Sequence, residues 1–386
     1  MKLPFDFEKQ YDQIKDIDVK NKYITHEHIV KINKLWKDPR VVYSEIMGKS
    51  AEGREIFRWT IGRGHKRILM WSQMHGDEST ATQAGIDFFL WLADKNNKSE
   101  IKTNILSNTT IYFVPMLNPD GAERFTRNNA LDLDINRDAL KLQTPEGKIL
   151  IDLLQNTSIN FAFNLHNQSK YRASLDTLLP VTFSFLTPGT PSDMHNTKHA
   201  THAKRLLAYT IEQLKDLEGV TIGKFPADYD IRCFGETAQK LDIATTLIEA
   251  GYIAGDEENQ ELRKLHWYLF TLLFENIALK KWNDFSVTNY TNLPMSEKIY
   301  FDYIFRNVKI EHPLQDIIMD IAVNRVEILN KRKRGFDIKF EIQEFGDLSN
   351  SKGFKEIDGS KIIWRQQFPN PKIGTTLDIP EHFMKL

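Results

Sequence analysis

Hydrophobic positions change period along this chain. In the polar opening stretch, Phe5, Phe7, Tyr11 and Ile14 recur at near-helical spacing, so residues 1–37 are predicted helical. Thr25-His-Glu-His28 opens a second short helix, with Thr25 as N-cap and His26 and His28 in a solvated first turn. From residue 41 the period shortens. Residues 41–45 and 55–61 read as short strands separated by the turn cluster Gly48-Lys-Ser-Ala-Glu-Gly53. Residues 67–74 form a nearly continuous apolar run, as a buried central strand does. Further strands are expected at 110–116, 160–165, 181–186 and 244–248. Helices are expected at 78–94 (Ala84, Phe88, Trp91 and Leu92 on one face), 145–156, 198–217 and 257–281. Within the last, Trp267, Tyr268, Phe270 and Phe274 suit a packed helix face. Strands alternating with helices predict an α/β fold with a mostly parallel or mixed central sheet flanked by helices.

Near residue 282 the pattern changes again. Residues 283–297 are polar and turn-rich and read as a linker. Short alternating runs follow at 300–308, 316–321, 325–329, 336–345 and 361–366, punctuated by Gly335, Gly346, Gly353 and Gly359. They predict a small C-terminal β domain. Lys331-Arg-Lys-Arg334 between two of them reads as a solvated hairpin tip. The expected division is a helical extension over 1–40, an α/β domain over 41–282, a linker over 283–297 and an accessory β domain over 298–386.

Composition narrows the function classes. A chain of 386 residues has a soft prior of two to three domains. With 51 basic against 52 acidic residues, the net charge of -1 argues against a nucleic-acid partner. The single cysteine, Cys233, excludes an internal disulfide and a Cys-rich zinc module, and nothing near it in sequence activates the thiol. No stretch approaches 18 apolar residues, so no membrane partner is expected. The amino terminus carries charges where a signal peptide has an apolar run, which reads as cytoplasmic. A processed secreted or periplasmic chain given a start Met would read the same way.

Four clusters carry candidate chemistry. Met74-His75-Gly76-Asp77-Glu78 follows a predicted buried strand, at the carboxyl edge where ligands bind in α/β sheets. His75 and Glu78 across a Gly turn could face one ion, and His with Glu suits zinc. His166 also closes a buried strand. Asn118-Pro-Asp-Gly121 is a tight turn, but the downstream Arg127, Asp134, Asn136 and Arg137 group cations and an amide near carboxylates, a pattern suited to recognising a carboxylate. Glu249 closes the strand at 244–248, where a buried acid needs a metal-bound water or an arginine.

Taken in order, His75-x-x-Glu78, Arg127, Asp134-x-Asn136-Arg137, His166 and Glu249 resemble the zinc carboxypeptidase family over roughly residues 40–280. The resemblance implies one Zn2+ per chain held by His75, Glu78 and His166, and Glu249 as general base and acid. It implies Arg127 on the oxyanion, Asn136 and Arg137 on the substrate carboxylate, and Asp134 orienting His75. Tyr229, counted back from Glu249, would cap the bound carboxylate. Asp230 and Arg232 lie in the segment that shapes the specificity pocket, where they would meet a charged or unusual terminal residue such as a murein-peptide diamino acid. The chain departs from the family at His166-Asn167-Gln168, often His-Ser-Tyr, and at Ala250-Gly251 after Glu249, where the digestive enzymes have Leu-Arg.

The implied partner is a peptide or peptide-like substrate with a free carboxylate. The oligomeric state stays open. Two alternatives also stay open: a zinc-dependent acyl-amino-acid amidohydrolase of the aspartoacylase and desuccinylase kind, and an inactive binding module. The ligand set would also take cobalt or manganese. A second metal on His195, His199 and His202, spaced i, i+4, i+7, is weighed against a solvated helix start, which is preferred for want of an acidic partner.

Overall fold

The structure is a computed structural model describing residues 3–16, 18–189, 197–226, 229–312, 314–363 and 372–377. The chain divides into two compact units, Met1–Ser169 with Ser174–Ser296, and Lys170–Ala173 with Glu297–Leu386.

The first unit is built on strands β1 (Tyr43–Lys49), β2 (Glu55–Gly62), β3 (Lys66–Trp71), β4 (Thr109–Val114), β5 (Phe161–Asn167), β7 (Phe183–Leu186), β8 (Ile222–Lys224) and β9 (Ala244–Ala250); the short β6 (Arg172–Ser174) lies outside the sheet, with only its last residue in this unit. Eight of them form one mixed sheet in the order β1-β2-β4-β3-β5-β9-β7-β8. The centre is parallel, β4-β3-β5-β9, with antiparallel pairs at β2·β4, β1·β2 and β7·β9. A parallel centre needs crossovers that cover both faces. Helices Thr80–Ala93 and Gln260–Leu279 share one core with Ile68, Met70, Ile111, Phe113, Phe161 and Phe163. Leu69, Trp71, Val114 and Ala162 enter a second core with Leu150, Leu153 and Phe234. Alternate residues of one strand thus feed opposite cores, as the two-residue side-chain period requires.

The described residues of 1–40, expected as an extension, send Leu3, Tyr11, Val19, Ile24, Ile29 and Ile32 into this unit's core. Tyr11 is buried and its hydroxyl donates to the Asp87 carboxylate at 3.0 Å. The first turn of helix His26–Asn33 is half-buried rather than solvated, with His26 Nε2 2.8 Å from the Glu55 carbonyl. Residues 283–296, expected as a linker, also fold with this unit. Their polar composition conceals Tyr290, which is buried and whose hydroxyl accepts from the Thr187 N–H at 2.7 Å. Helices Glu100–Asn108 and Phe234–Lys240 had no clear periodic signal.

The second unit contains β10 (Ser296–Lys298), whose first residue belongs to the first unit, and β11 (Tyr300–Ile310), β12 (Ile317–Asn330), β13 (Gly335–Gly346), β14 (Lys352–Asp358) and β15 (Thr376–Leu377). The last five form a sheet in the order β14-β11-β12-β13-β15. Residues 316–321 and 325–329, expected as two strands, are one long strand, β12, with a register shift at Ala322/Val323. The polar Asn324, which lies between the two expected runs, is held inside the sheet, where its side chain accepts from the Asp302 N–H at 2.9 Å. Residues 364–366 of the expected last strand lie outside the described residues. Lys331–Arg334 form an exposed turn between β12 and β13.

Candidate functional site

The parallel strands β3, β5 and β9 end at one sheet edge, and three candidate residues sit there. His166 is the sixth residue of β5 and Glu249 the sixth of β9, and they are register partners. In-register neighbours project to the same face. His75 comes four residues after β3. Between them Gln73 adopts φ 45°, a left-handed conformation that is costly for a side chain and recurs at functional sites. Two local bonds hold it: Gln73 Nε2 donates to the Gly76 carbonyl at 2.9 Å, and the Asn118 N–H donates to the Gln73 carbonyl at 2.9 Å.

The Asn118-Pro-Asp-Gly121 turn is therefore the clamp of the His75 loop. Asn118 Oδ1 accepts from the Gly121 N–H at 2.9 Å, and its Nδ2 donates to the Met74 carbonyl at 3.2 Å. Gly76 abuts the backbone of Gly121 and Ala122, where a Cβ has no room. Asp120 is fully buried and anchors the turn from outside, accepting from Ser50 Oγ at 2.8 Å, Glu52 N–H at 2.9 Å and Arg54 Nη1 at 2.6 Å.

At the centre, the donor atoms of His75, Glu78 and His166 lie within 4.8 Å of one another, and all three residues are buried. His75 Nδ1 is 2.9 Å from Glu78 Oε1, and His166 Nδ1 is 2.7 Å from Glu78 Oε2. The Asn167 N–H also donates to Glu78 Oε2 at 3.2 Å, a backbone contact with no sequence signal. Asp134 Oδ1 stands 3.1 Å from His75 Nε2 and accepts from the Asn136 N–H at 2.8 Å. Its Oδ2 accepts from Arg127 Nε and Nη2 at 3.1 and 2.9 Å. Arg127 Nη1 lies 3.2 Å from His75 Nδ1 and 3.7 Å from Glu78. Asp134 thus joins the two histidine-side arginine and amide groups through one carboxylate.

The charges follow. Burial opposes ionisation of Glu78, but His75 and His166 outweigh it and hold the carboxyl well below its usual range. Burial likewise opposes ionisation of Asp134, and His75 with Arg127 hold it low. Burial pulls His75 down, yet Glu78 and Asp134 raise it to about 9. Burial lowers His166. A proton on His75 offsets the Glu78 charge, with the Arg127 guanidinium 3.7 Å away. His75 Nε2 is turned to Asp134, so in the neutral ring Nδ1 presents a lone pair to a carboxylate oxygen, a gap that a proton or a metal ion fills. His166 Nε2 is buried with no partner among the described residues. Two imidazoles and a carboxylate are a donor set for a transition-metal ion, and the three residues could hold one.

The second group of sequence candidates forms a separate network. Asn136 is buried and its Oδ1 accepts from the Phe234 N–H at 3.2 Å. Arg137 donates to the Asn136 carbonyl at 2.8 Å and to Cys233 Sγ at 3.1 Å, and its Nε is 3.3 Å from Asp230. Arg232 grips the same Asp230 through Nε and Nη2 at 2.9 and 2.7 Å. Asp230 therefore occupies both arginines: Arg232 is its near neighbour in sequence, while Arg137 lies about ninety residues away, a pairing that spacing does not reveal. Tyr229 is 38% exposed, with Lys240 Nζ 5.3 Å from its ring centroid. Burial raises the Cys233 thiol to about 12, which leaves it protonated and unreactive. Of the alternative histidine cluster, His195 lies outside the described residues, while His199 and His202 have ring centroids 6.4 Å apart.

Residues 30–175 match the family model for zinc carboxypeptidases. Carboxypeptidase SOL1 of Arabidopsis thaliana is 30% identical over 103 residues, 24% of this chain and 21% of that protein. Carboxypeptidase M of Mus musculus is 24% identical over 149 residues, 33% of this chain and 34% of that protein. The matches span about a fifth and about a third of the length of these two relatives. The fold is that of a metallo-carboxypeptidase from Burkholderia cenocepacia, with a TM-score of 0.53 at 17% identity, covering 67% of this chain and 70% of that one. The sequence match lies across His75, Glu78, Arg127, Asp134 and His166, so over residues 30–175 the chain is similar to the zinc carboxypeptidase family.

Proposed function

We propose that this protein is a zinc-dependent carboxypeptidase that hydrolyses the amide bond next to a free terminal carboxylate. The observation that carries the reading is the buried convergence of His75, Glu78 and His166, with Glu249 in register beside His166. These residues would hold Zn2+, which supplies a Lewis acid and lowers the pKa of water to about 7. Glu249 takes the proton of the attacking water and later gives it to the leaving amine, so the amine departs neutral. Arg127, close to His75 and Glu78, places a cation where the carbonyl oxygen gains charge. Asp134 fixes the His75 ring by accepting from Nε2, which leaves Nδ1 for the metal.

Asn136 and Arg137 receive the substrate carboxylate. Arg137 is held by Asp230, so binding exchanges one carboxylate partner for another rather than desolvating a bare cation. Tyr229 and Arg232 flank this segment and would contact the terminal residue.

The test pairs metal content with turnover. Purified protein is expected to carry about one zinc per chain, the number of sites the three ligands make. Peptides with free carboxyl ends should lose their last residue, and amidated ones should not. Glu249→Gln should keep the zinc and lower kcat by about 100-fold or more, the usual worth of a general base. Protein that takes up no zinc, or a Glu249→Gln enzyme with full activity, overturns the reading.

A further inference from the structure

At the opposite edge of the sheet, where the parallel strands begin, lies a cavity of about 440 Å³. Lys66 at the start of β3, Lys198 at the start of helix Lys198–Leu214 and Lys280 just past helix Gln260–Leu279 line it. Asp242 is its one carboxylate among the lining residues. The chain as a whole is balanced at a net charge of -1, so this concentration of ammonium groups is local. None of the three lysines has a carboxylate within 4.0 Å among the described residues. Lys66 is only 9% exposed, and its Nζ donates to the Ile277 carbonyl at 2.7 Å. Asp242 leans instead toward His199, 3.8 Å away.

Lys66 is buried while Lys198 and Lys280 reach solvent, and the three ammonium groups outnumber the one carboxylate at the cavity. The amino end of a 17-residue helix at Lys198 adds partial positive charge. Burial and the neighbouring Lys280 push Lys66 down to about 8, a repulsion that a bound anion reverses. The remaining wall sets Ile159, Phe161 and Trp282 among the polar His65, Asn160, His199, His202 and Asn283. Phe161 and Trp282 meet edge to face at 5.4 Å, and His202 stands 4.9 Å from Trp282. A bare oxyanion would leave this wall unused, and a cavity of this size suits a small organic ligand.

We propose that this cavity is a second ligand site, separate from the His75–Glu78–His166 cluster, that binds an organic phosphate monoester with its dianionic head among Lys66, Lys198 and Lys280 and a flat apolar body against Phe161 and Trp282. A phosphate monoester carries nearly two negative charges at neutral pH, which matches the charge the cavity presents. The inference does not depend on the peptidase reading.

The experiment is titration calorimetry of the full chain, stripped of metal by chelation, with phenyl phosphate, inorganic phosphate and benzyl alcohol. Saturable one-to-one binding of phenyl phosphate is expected, tighter than that of inorganic phosphate, with none of the neutral alcohol. Lys198→Gln and Lys280→Gln should each weaken it about tenfold, the worth of a charge-assisted hydrogen bond. Asp242→Asn should tighten it, because it removes the opposing charge. Arg137→Gln at the other edge should change nothing. The proposal fails if phenyl phosphate gives no saturable binding, if the lysine variants bind as wild type does, or if Arg137→Gln abolishes the binding.

Discussion

Asp134 shows how much one side chain organises. One oxygen serves His75 and the backbone of Asn136, and the other takes both arms of Arg127. Its removal should therefore do more than lose a contact. Asp134→Ala is expected to weaken zinc affinity about 10- to 100-fold, as loss of a carboxylate behind a liganding histidine does. A competition titration against a chelator checks this, and unchanged affinity would count against Asp134 as the orienting group. Glu236 makes a different prediction. It is buried near the start of helix Phe234–Lys240, and burial lifts its carboxyl from 4.5 to about 7. The folded protein keeps this proton until about pH 7, whereas the unfolded chain gives it up near 4.5. Stability is therefore lost as the pH rises through that window, and the penalty is complete above it. Glu236→Gln should be about as stable as wild type at pH 5 and more stable by about 1–3 kcal/mol at pH 8. Denaturant melts at the two pH values decide it, and parallel pH profiles would refute it.

Secondary elements were legible where their hydrophobic period was strong. Helix Thr80–Ala93 and strand β5 lie within a few residues of their expected bounds. Helix Phe234–Lys240 was not legible, because its seven residues, Phe-Gly-Glu-Thr-Ala-Gln-Lys, are too few to show a period. The merging of two expected strands into β12 has a similar cause. Asn324 breaks the apolar run in sequence, but the amide finds a backbone partner within the sheet. The turn that presents His75 is the element most exposed to damage. Gly76 packs against the backbone of Gly121 and Ala122, which cannot retreat as a side chain can. Gly76→Ala should cost about 3 kcal/mol, at the upper end of overpacking, and should also lower zinc affinity. Thermal unfolding with and without zinc measures both, and a variant matching wild type in each would show that the turn is slack.

The first unit is tied across long sequence distances by one buried ion pair. Arg263 Nε and Nη2 donate to Asp87 at 2.6 Å each, and Arg263 reaches the carbonyls of Asp16 and Val19. Asp87 also accepts from the Tyr11 hydroxyl and the Asp16 N–H. This pair joins the amino-terminal segment to helices Thr80–Ala93 and Gln260–Leu279, which is why residues 1–40 are part of the unit and not an appendage. Asp87→Ala strands a buried guanidinium, so it should cost about 3–5 kcal/mol. Its amino-terminal segment should also become the first target of limited proteolysis. A variant with wild-type stability and an intact amino terminus would show that the apolar core alone holds the segment.

Read residue by residue, the chain already specified its alternating elements, a mixed sheet, and the candidates His75, Glu78, His166 and Glu249 at strand ends. Those features rest on local period and on the edge at which parallel strands finish, both of which are written in order along the chain. Pairing across distance is not. That Asp230 holds both Arg137 and Arg232, that residues 283–296 pack rather than link, and that Lys66, Lys198 and Lys280 surround one cavity follow from the folded path. Apart from the local Asp230–Arg232 contact, each joins side chains separated by tens to hundreds of residues, and only the packing of the sheet and its helices brings them within reach.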